Sequence, residues 1–191
     1  MDMYLNSKKP KYKKFFKSLF WWIVEIVLVI AAAYLIIEYA LEKTTMMGTS
    51  MNTTLNDGDK IIINKLAYFR GDPKRNDVIV FSQSKSGHGY YNIKRVIGLP
   101  GETVEIVNGE VYINGVKLVE VIQVDKMRVA GLADEAILLG ENEFFVLGDN
   151  RNYSEDSRFA NIGIVVKKDI IGKAWMRLEP FSIIDKINRE D

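Results

Sequence analysis

The 191-residue chain has no cysteine and a single histidine, His88. Without cysteine there are no disulfide staples, thiol nucleophiles, iron–sulfur clusters or cysteine zinc sites. One imidazole also excludes a two-histidine metal cluster within the chain, so neither metal nor cofactor is expected. A serine–histidine–aspartate triad would have to use His88. That residue lies in Ser86-Gly87-His88-Gly89, a loop poorly suited to holding a base rigidly, and reads as a solvated loop histidine. Net charge is scarce too: 26 basic residues face 25 acidic ones, leaving +1. What is plentiful is apolar material, with 48% hydrophobic and 11% aromatic residues. That is enough for a packed core and excludes wholesale disorder.

The neutral total conceals an asymmetry. Residues 1–18 carry six lysines (8, 9, 11, 13, 14 and 17) against Asp2 alone, a net +5, whereas residues 42–191 carry 20 basic and 22 acidic side chains, a net −2. A basic arm is compatible with nucleic acid, a signal peptide or a membrane anchor. The following residues decide between them. From Leu19 to Leu41 the chain reads LFWWIVEIVLVIAAAYLIIEYAL, 23 residues with Glu25 and Glu38 as the only charges. At about 1.5 Å per residue, such a helix matches a hydrocarbon core of about 30 Å. Both glutamates lie toward the ends, where they can reach the headgroups, and Trp21, Trp22, Tyr34 and Tyr39 supply interfacial aromatics. The uncharged run Ile26 to Ile37 taken alone would also suit a buried core helix, and Ala31 to Ala33 offers an A-x-A cleavage pattern. Apolar residues continue past that pattern, which favours an uncleaved anchor. The lysines then place residues 1–18 in the cytoplasm as a basic tail, 19–41 across the plasma membrane as a single pass, and 42–191 outside. The bilayer is an expected partner and nucleic acid is not; nothing in the sequence speaks to oligomers.

Beyond Lys43 the pattern changes to short β-like runs: Lys60 to Asn64, Val78 to Phe81, Thr103 to Val107, Val111 to Ile113, Phe144 to Leu147 and Ile162 to Val166. Asp57-Gly58, Asn108-Gly109 and Asn114-Gly115 punctuate them as turns. The expectation is a mainly β fold behind one helix, with a hairpin about Asn108-Gly109. Residues 108–142 read as an excursion from the main sheet, either a long loop with one hairpin or a small β insertion. The late segment Gly172 to Phe181 reads as a closing core strand or a surface resting on lipid, with Trp175 unassigned.

With no thiol and one imidazole, hydrolytic chemistry falls to a serine with a lysine base or to a pair of carboxylates. Four segments carry suitable residues: Gly48 to Leu55 followed by Asp57-Gly58-Asp59; Lys60 to Tyr68 with Asp72 and Asn76 to Phe81; Tyr91 to Gly101; and Gly148 to Arg158. In this order after one apolar helix, they resemble type I signal peptidases, membrane-bound Ser/Lys proteases that cut signal peptides from exported proteins. The pattern S-M-x-P-T-L matches Ser50 to Leu55 except that Thr53 stands where proline is usual. K-R-V-I-G-x-P-G matches Lys94 to Gly101 in full, and G-D-N-R-N-x-S-x-D-S-R matches Gly148 to Arg158 in full.

The resemblance implies a signal-peptidase-like β-sheet catalytic domain in which Ser50 is the nucleophile and Lys94 the general base. A lysine with an ordinary pKa of about 10.4 cannot accept a proton at neutral pH, so Lys94 must be desolvated. Ile93, Val96, Ile97 and Tyr91 are the candidate walls. The Ser50 N–H is the natural first oxyanion donor. Some family members add a hydroxyl two residues earlier, but that position is Gly48 here; Thr49, another backbone group or water are the candidates for a second donor. Asp149, Arg151, Asp156 and Arg158 read as an ion-pair network bracing the site, ahead of an aspartic dyad, and Ser154 as a partner that orients Lys94. The implied substrates are preprotein signal peptides with small residues first and third before the cut. The same residues are compatible with two alternatives. One is a non-catalytic membrane-anchored chaperone of pilus or surface-protein assembly. The other is a self-cleaving Ser/Lys repressor, which would carry a DNA-binding N-terminus in place of a bilayer-length helix.

Overall fold

The structure is a computed structural model describing residues 11–82 and 91–187. His88 lies outside them. The chain divides into two compact units, one ending at Tyr39 and the other beginning at Ala40.

The first unit carries a helix, α1 (Lys11–Ala40), whose last residue belongs to the second. Its Leu, Ile, Val and Ala content has few helix breakers, containing neither glycine nor proline. The apolar stretch from Lys14 to Ala40 is long enough to cross a membrane. Trp21, Trp22, Leu28, Ile30, Leu35 and Ile36 are all exposed. A helix apolar on all sides and uncovered by protein is suited to lipid rather than to a water-facing surface.

The second unit is mainly β. Its strands are β1 (Leu41–Thr45), β2 (Lys60–Asn64), β3 (Val78–Ser82), β4 (Tyr91–Gly98), β5 (Thr103–Val107), β6 (Glu110–Ile113), β7 (Val116–Lys117), β8 (Ile137–Leu138), β9 (Glu143–Leu147), β10 (Val165–Val166), β11 (Ile170–Leu178) and β12 (Phe181–Ile183). The expected runs coincide with strands except at Ile162 to Val166, where only the last two residues are strand. Gly163, at φ +63, and its N–H to the Phe159 carbonyl turn the chain there instead.

The larger sheet runs β1-β2-β11-β3-β4-β9-β10, with β12 added to β11, and its pairings are antiparallel. The Gly172 to Phe181 segment is therefore largely an interior strand of the sheet: Ala174 is fully buried, while Trp175 is about one-third exposed. Register shifts in β11 between Ile170 and Gly172 and between Ala174 and Met176 bend the sheet. Gly172 is obligatory at the first bend, because a Cβ would lie 2.5 Å from the Asn64 carbonyl oxygen. Three strands separate β1 from β4 in the sheet, yet Tyr91 of β4 donates a hydrogen bond to Glu42 of β1 at 2.7 Å. The sheet thus curls until its β1 edge returns opposite β4. Between them is a slot, because among the described residues β1 pairs only with β2, and Tyr91 to Lys94 pair only with β3 before β9 joins at Arg95.

Strand alternation gives this curl two apolar faces. Inside lie Met46, Met51, Leu55, Ile61, Ile63, Val78, Val80, Ile93 and Ala174; on the opposite face lie Ile79, Phe81, Val96, Phe144 and Val146. Each fully buried aliphatic or aromatic contributes about 1.5–3 kcal/mol over its exposed state. A second sheet, β7-β6-β5-β8, packs its own core of Val104, Ile106, Val111 and Ile113 with Met127, Ala133 and Leu139. Both of its hairpins use two-residue turns, since Val107 pairs with Glu110 and Ile113 with Val116. Asn108 and Asn114 at φ 53 and 51, each followed by a positive-φ glycine, are the conformers such turns require.

Candidate active site

Ser50 follows β1 in a loop that folds back on itself. Met46 accepts from Gly58 N–H and donates to the Asp59 carbonyl, while Gly48 N–H donates to Asp57 Oδ1 at 2.7 Å. Met51 and Leu55, both fully buried, anchor the turn of chain after Ser50 in the inner core, with Leu55 N–H bonded to the Met51 carbonyl. Asn150 completes the hold: its N–H donates to the Ser50 carbonyl and its side-chain amide to the Thr49 carbonyl, both at 3.1 Å.

Lys94 projects from β4, and its Nζ lies 2.8 Å from Ser50 Oγ. The lysine is only 5% exposed. Burial pushes its pKa below the ordinary lysine value, and Asp156, Glu155 and Asp149 oppose that shift without overturning it. Register corrects the expected walls. Tyr91 and Ile93 alternate to the opposite face, and Ile97 packs into the core of the second sheet. Of the four, Val96 shares the lysine's face, joined by Ile79, directly across on β3, and Val146, opposite Val96 on β9.

Beside this pair sits a buried ionic frame. Arg95 grips Asp149 with two bonds, Nε to Oδ1 at 2.8 Å and Nη2 to Oδ2 at 2.6 Å, and each residue is 2% exposed. The Thr54 hydroxyl donates to Asp149 Oδ2 at 2.5 Å and accepts from Arg95 Nη2. The pair therefore ties the nucleophile loop, β4 and the Gly148–Asn150 turn together. Asp156 is gripped by Arg158 in the same two-bond manner, at 2.8 and 2.9 Å, and accepts from Gly148 N–H. Arg158 also donates to the carbonyls of Val129 and Arg151. Arg151 turns away, to Glu120 at 2.6 Å. Each aspartate is thus matched with a guanidinium, and the arrangement is not that of two carboxylates sharing a proton. Sequence reading missed Arg95; its position next to Lys94 in a strand, hence on the opposite face, was the available signal.

The expected hydrogen bond from Ser154 to Lys94 is not formed: the Ser154 Oγ is buried, has no hydrogen-bond partner among the described residues and is packed against Gly148. A Cβ on Gly148 would fall 2.1 Å from that oxygen and 2.5 Å from the Ser50 carbonyl oxygen. The glycine is what lets the two serine-bearing segments meet. Thr53 adopts φ +89, a conformation costly for a β-branched residue and closed to proline, whose ring holds φ near −65°. The nucleophile loop of this chain therefore follows a path on which proline cannot stand.

For an oxyanion, the Ser50 N–H makes no hydrogen bond among the described residues, whereas the Gly48 N–H is committed to Asp57. Among the same residues no group of three or more His, Cys, Asp or Glu side chains is placed to hold a metal ion.

The family described as signal peptidase, peptidase S26, matches residues 19–179. Signal peptidase I of Bacillus licheniformis is 32% identical over 189 residues, covering 95% of this chain and 99% of that one. Signal peptidase I S of Bacillus subtilis (strain 168) is 33% identical over 180 residues, covering 90% and 95%. Among solved structures, a signal peptidase I from Enterococcus faecalis V583 is 33% identical, with a TM-score of 0.41, covering 53% of this chain and 96% of that one.

Proposed function

The chain belongs to the signal peptidase S26 family, and from that premise we propose that it removes signal peptides from preproteins with Ser50 as nucleophile and Lys94 as general base. The observation that carries this assignment is the 2.8 Å approach of Lys94 Nζ to Ser50 Oγ by a lysine buried among aliphatic side chains.

In its neutral form Lys94 takes the hydroxyl proton as Ser50 Oγ bonds to the scissile carbonyl carbon. The carbonyl oxygen becomes an oxyanion, to which the free Ser50 N–H donates. Collapse breaks the peptide bond, and the Lys94 ammonium returns its proton to the leaving amine, producing the acyl-enzyme and the new N-terminus. Water then attacks the ester, Lys94 again accepting the proton, and Ser50 is restored as the signal peptide leaves with a free carboxylate. The ionic frame of Arg95–Asp149 and Asp156–Arg158 stays outside the proton path and fixes Ser50 relative to Lys94.

The substrate enters as an extended strand in the slot between β1 and β4, where both edges offer backbone groups that are unpaired among the described residues. The residues first and third before the cut point toward Met46 and Ile93 on the inner face. Helix α1 anchors the enzyme, with its lysine-rich start cytoplasmic, residues 42–191 outside and a β insertion about 108–142. Confining enzyme and preprotein to one bilayer raises their effective concentration without further contacts.

The test is processing of a purified preprotein by the full chain in liposomes. Wild type is expected to cleave at the signal junction and Ser50→Ala to leave the preprotein intact. Cleavage by Ser50→Ala would sink the assignment. A wild-type chain that binds the preprotein without cutting it would identify a chaperone instead.

A further inference from the structure

We infer that a cavity beside β6 and β7 of the second sheet, with Arg151 in its wall, is a second binding site that takes the free C-terminal carboxylate of an apolar peptide. The cavity holds about 430 Å³, within the usual size of a small-ligand site, and its lining shares no residue with the slot between β1 and β4. Arg151 has a side chain only 1% exposed. Its two buried neighbours, Arg95 and Arg158, each present the guanidinium edge carrying Nε and Nη2 to both oxygens of an aspartate. Arg151 turns Nη1 instead to Glu120 Oε1, at 2.6 Å, and its Nε and Nη2 are buried with no partner among the described residues. Glu120 Oε2 is likewise buried and unpartnered among them. Buried donors and acceptors of this kind are costly unless a partner reaches them.

The open edge of Arg151 matches the two oxygens of a carboxylate, the use to which Arg95 and Arg158 put the same edge. Glu120 Oε2, on the residue paired with that guanidinium, accepts an N–H close by. A peptide C-terminus brings both groups within one residue, its carboxylate and the amide N–H of the terminal residue. Val111, Leu118, Ile122 and Val124 supply apolar walls for its side chains. A fatty acid would fill the walls and the edge but leave Glu120 Oε2 without a donor. The stretch Gln123–Asp125 borders this cavity and a second of about 220 Å³, and Arg151 borders both. Gln123 and Asp125 are exposed, and this stretch is what the ligand displaces to reach the guanidinium. The inference rests on the cleavage proposed above only for the source of the ligand: that reaction releases a signal peptide with a new carboxylate.

The experiment measures binding by calorimetry to the full chain in lipid nanodiscs, using acetyl-Ala-Leu-Ala with a free carboxylate and the same peptide closed as its amide. The carboxylate is expected to bind about tenfold or more tightly, as a charge-assisted pair in a buried site should. Arg151→Lys keeps the cation without the two-donor edge, and Leu118→Trp fills the cavity; each is expected to abolish the preference. Thermal unfolding identifies a variant that has not folded, and the wild-type comparison stands without it. A photoreactive leucine in the probe is expected to label residues 109–126. Equal binding of the two peptides by wild type, an unchanged preference in folded Arg151→Lys and Leu118→Trp, or labelling confined to β1 and β4 overturns the site. Decanoate bound at the cavity with neither peptide bound overturns the peptide in favour of a fatty acid. Ser50→Ala is expected to keep the preference; if it also cleaves preprotein, the cleavage reading falls and the site stands.

Discussion

Replacing Asp149 by alanine should cost the catalytic unit far more than the loss of one surface ion pair. In the structure both Asp149 oxygens are occupied, by Arg95 Nε and Nη2 and by the Thr54 hydroxyl, and both members of the ion pair are almost fully buried. The substitution strands the Arg95 guanidinium, which among the described residues keeps only the Asn76 carbonyl at 2.9 Å and Thr54 as acceptors. Removing one partner of a buried pair costs about 3–5 kcal/mol, chiefly through the uncompensated charge left behind. A domain of this size loses roughly 2–4 °C of Tm per kcal/mol, so the expected fall is about 6–20 °C. The assay is thermal unfolding of the full chain in detergent, followed by circular dichroism and repeated for Arg95→Met, Asp149→Ala and the double variant. The double variant should recover a large part of the loss, because no charge is stranded in it. An Asp149→Ala protein within about 1 kcal/mol of wild type, or a double variant as unstable as the sum of the singles, would refute this reasoning.

Other outcomes follow from the same geometry. Burial lowers the Lys94 pKa, so kcat/KM should rise with pH up to that lowered value, losing about tenfold per unit below it; an acid limb at an ordinary lysine pKa would contradict this. The same shift affects stability. Between the lowered folded value and the unfolded value of about 10.4 the unfolded chain binds more protons, so stability rises with pH across that window and is least below it. In Lys94→Met that pH dependence should vanish from urea melts. Gly148→Ala should cut activity strongly, because its Cβ would meet Ser154 Oγ and the Ser50 carbonyl oxygen; kinetics within twofold of wild type would exclude that contact. Thr53→Pro, although it restores the residue usual in the family, should destabilise the chain by about 1–3 kcal/mol, since φ +89 is closed to proline. A rise in Tm would show that the loop takes another path.

How much of this was visible in the sequence depended on distance along the chain. The hairpin at Asn108-Gly109, the turn at Asn114-Gly115 and the strands Lys60–Asn64 and Thr103–Val107 are local, and their spacing predicts them; that Asn114-Gly115 also closes a hairpin, with Val116–Lys117, is seen only in the structure. The Arg158 grip on Asp156 is likewise local, two residues apart. The approach of Ser50 to Lys94 spans 44 residues and came only from the resemblance of three ordered blocks. Arg95 as the partner of Asp149, and Ile79 and Val146 beside Lys94, depend on which strands pair and in what register. No periodicity in the sequence carries that information. The slot between β1 and β4 depends on how the whole sheet curls, including the two register shifts in β11, and of those shifts Gly172 is the trace in the sequence.

The central claim is that a neutral lysine 2.8 Å from Ser50 Oγ takes its proton. Its most direct test is single-turnover cleavage of a preprotein by Lys94→Arg, which keeps a cation at the site but cannot act as base near neutral pH. The expected rate is lower by about 10²–10⁴-fold or more, the range contributed by a general base. A rate within tenfold of wild type would show that another group activates Ser50.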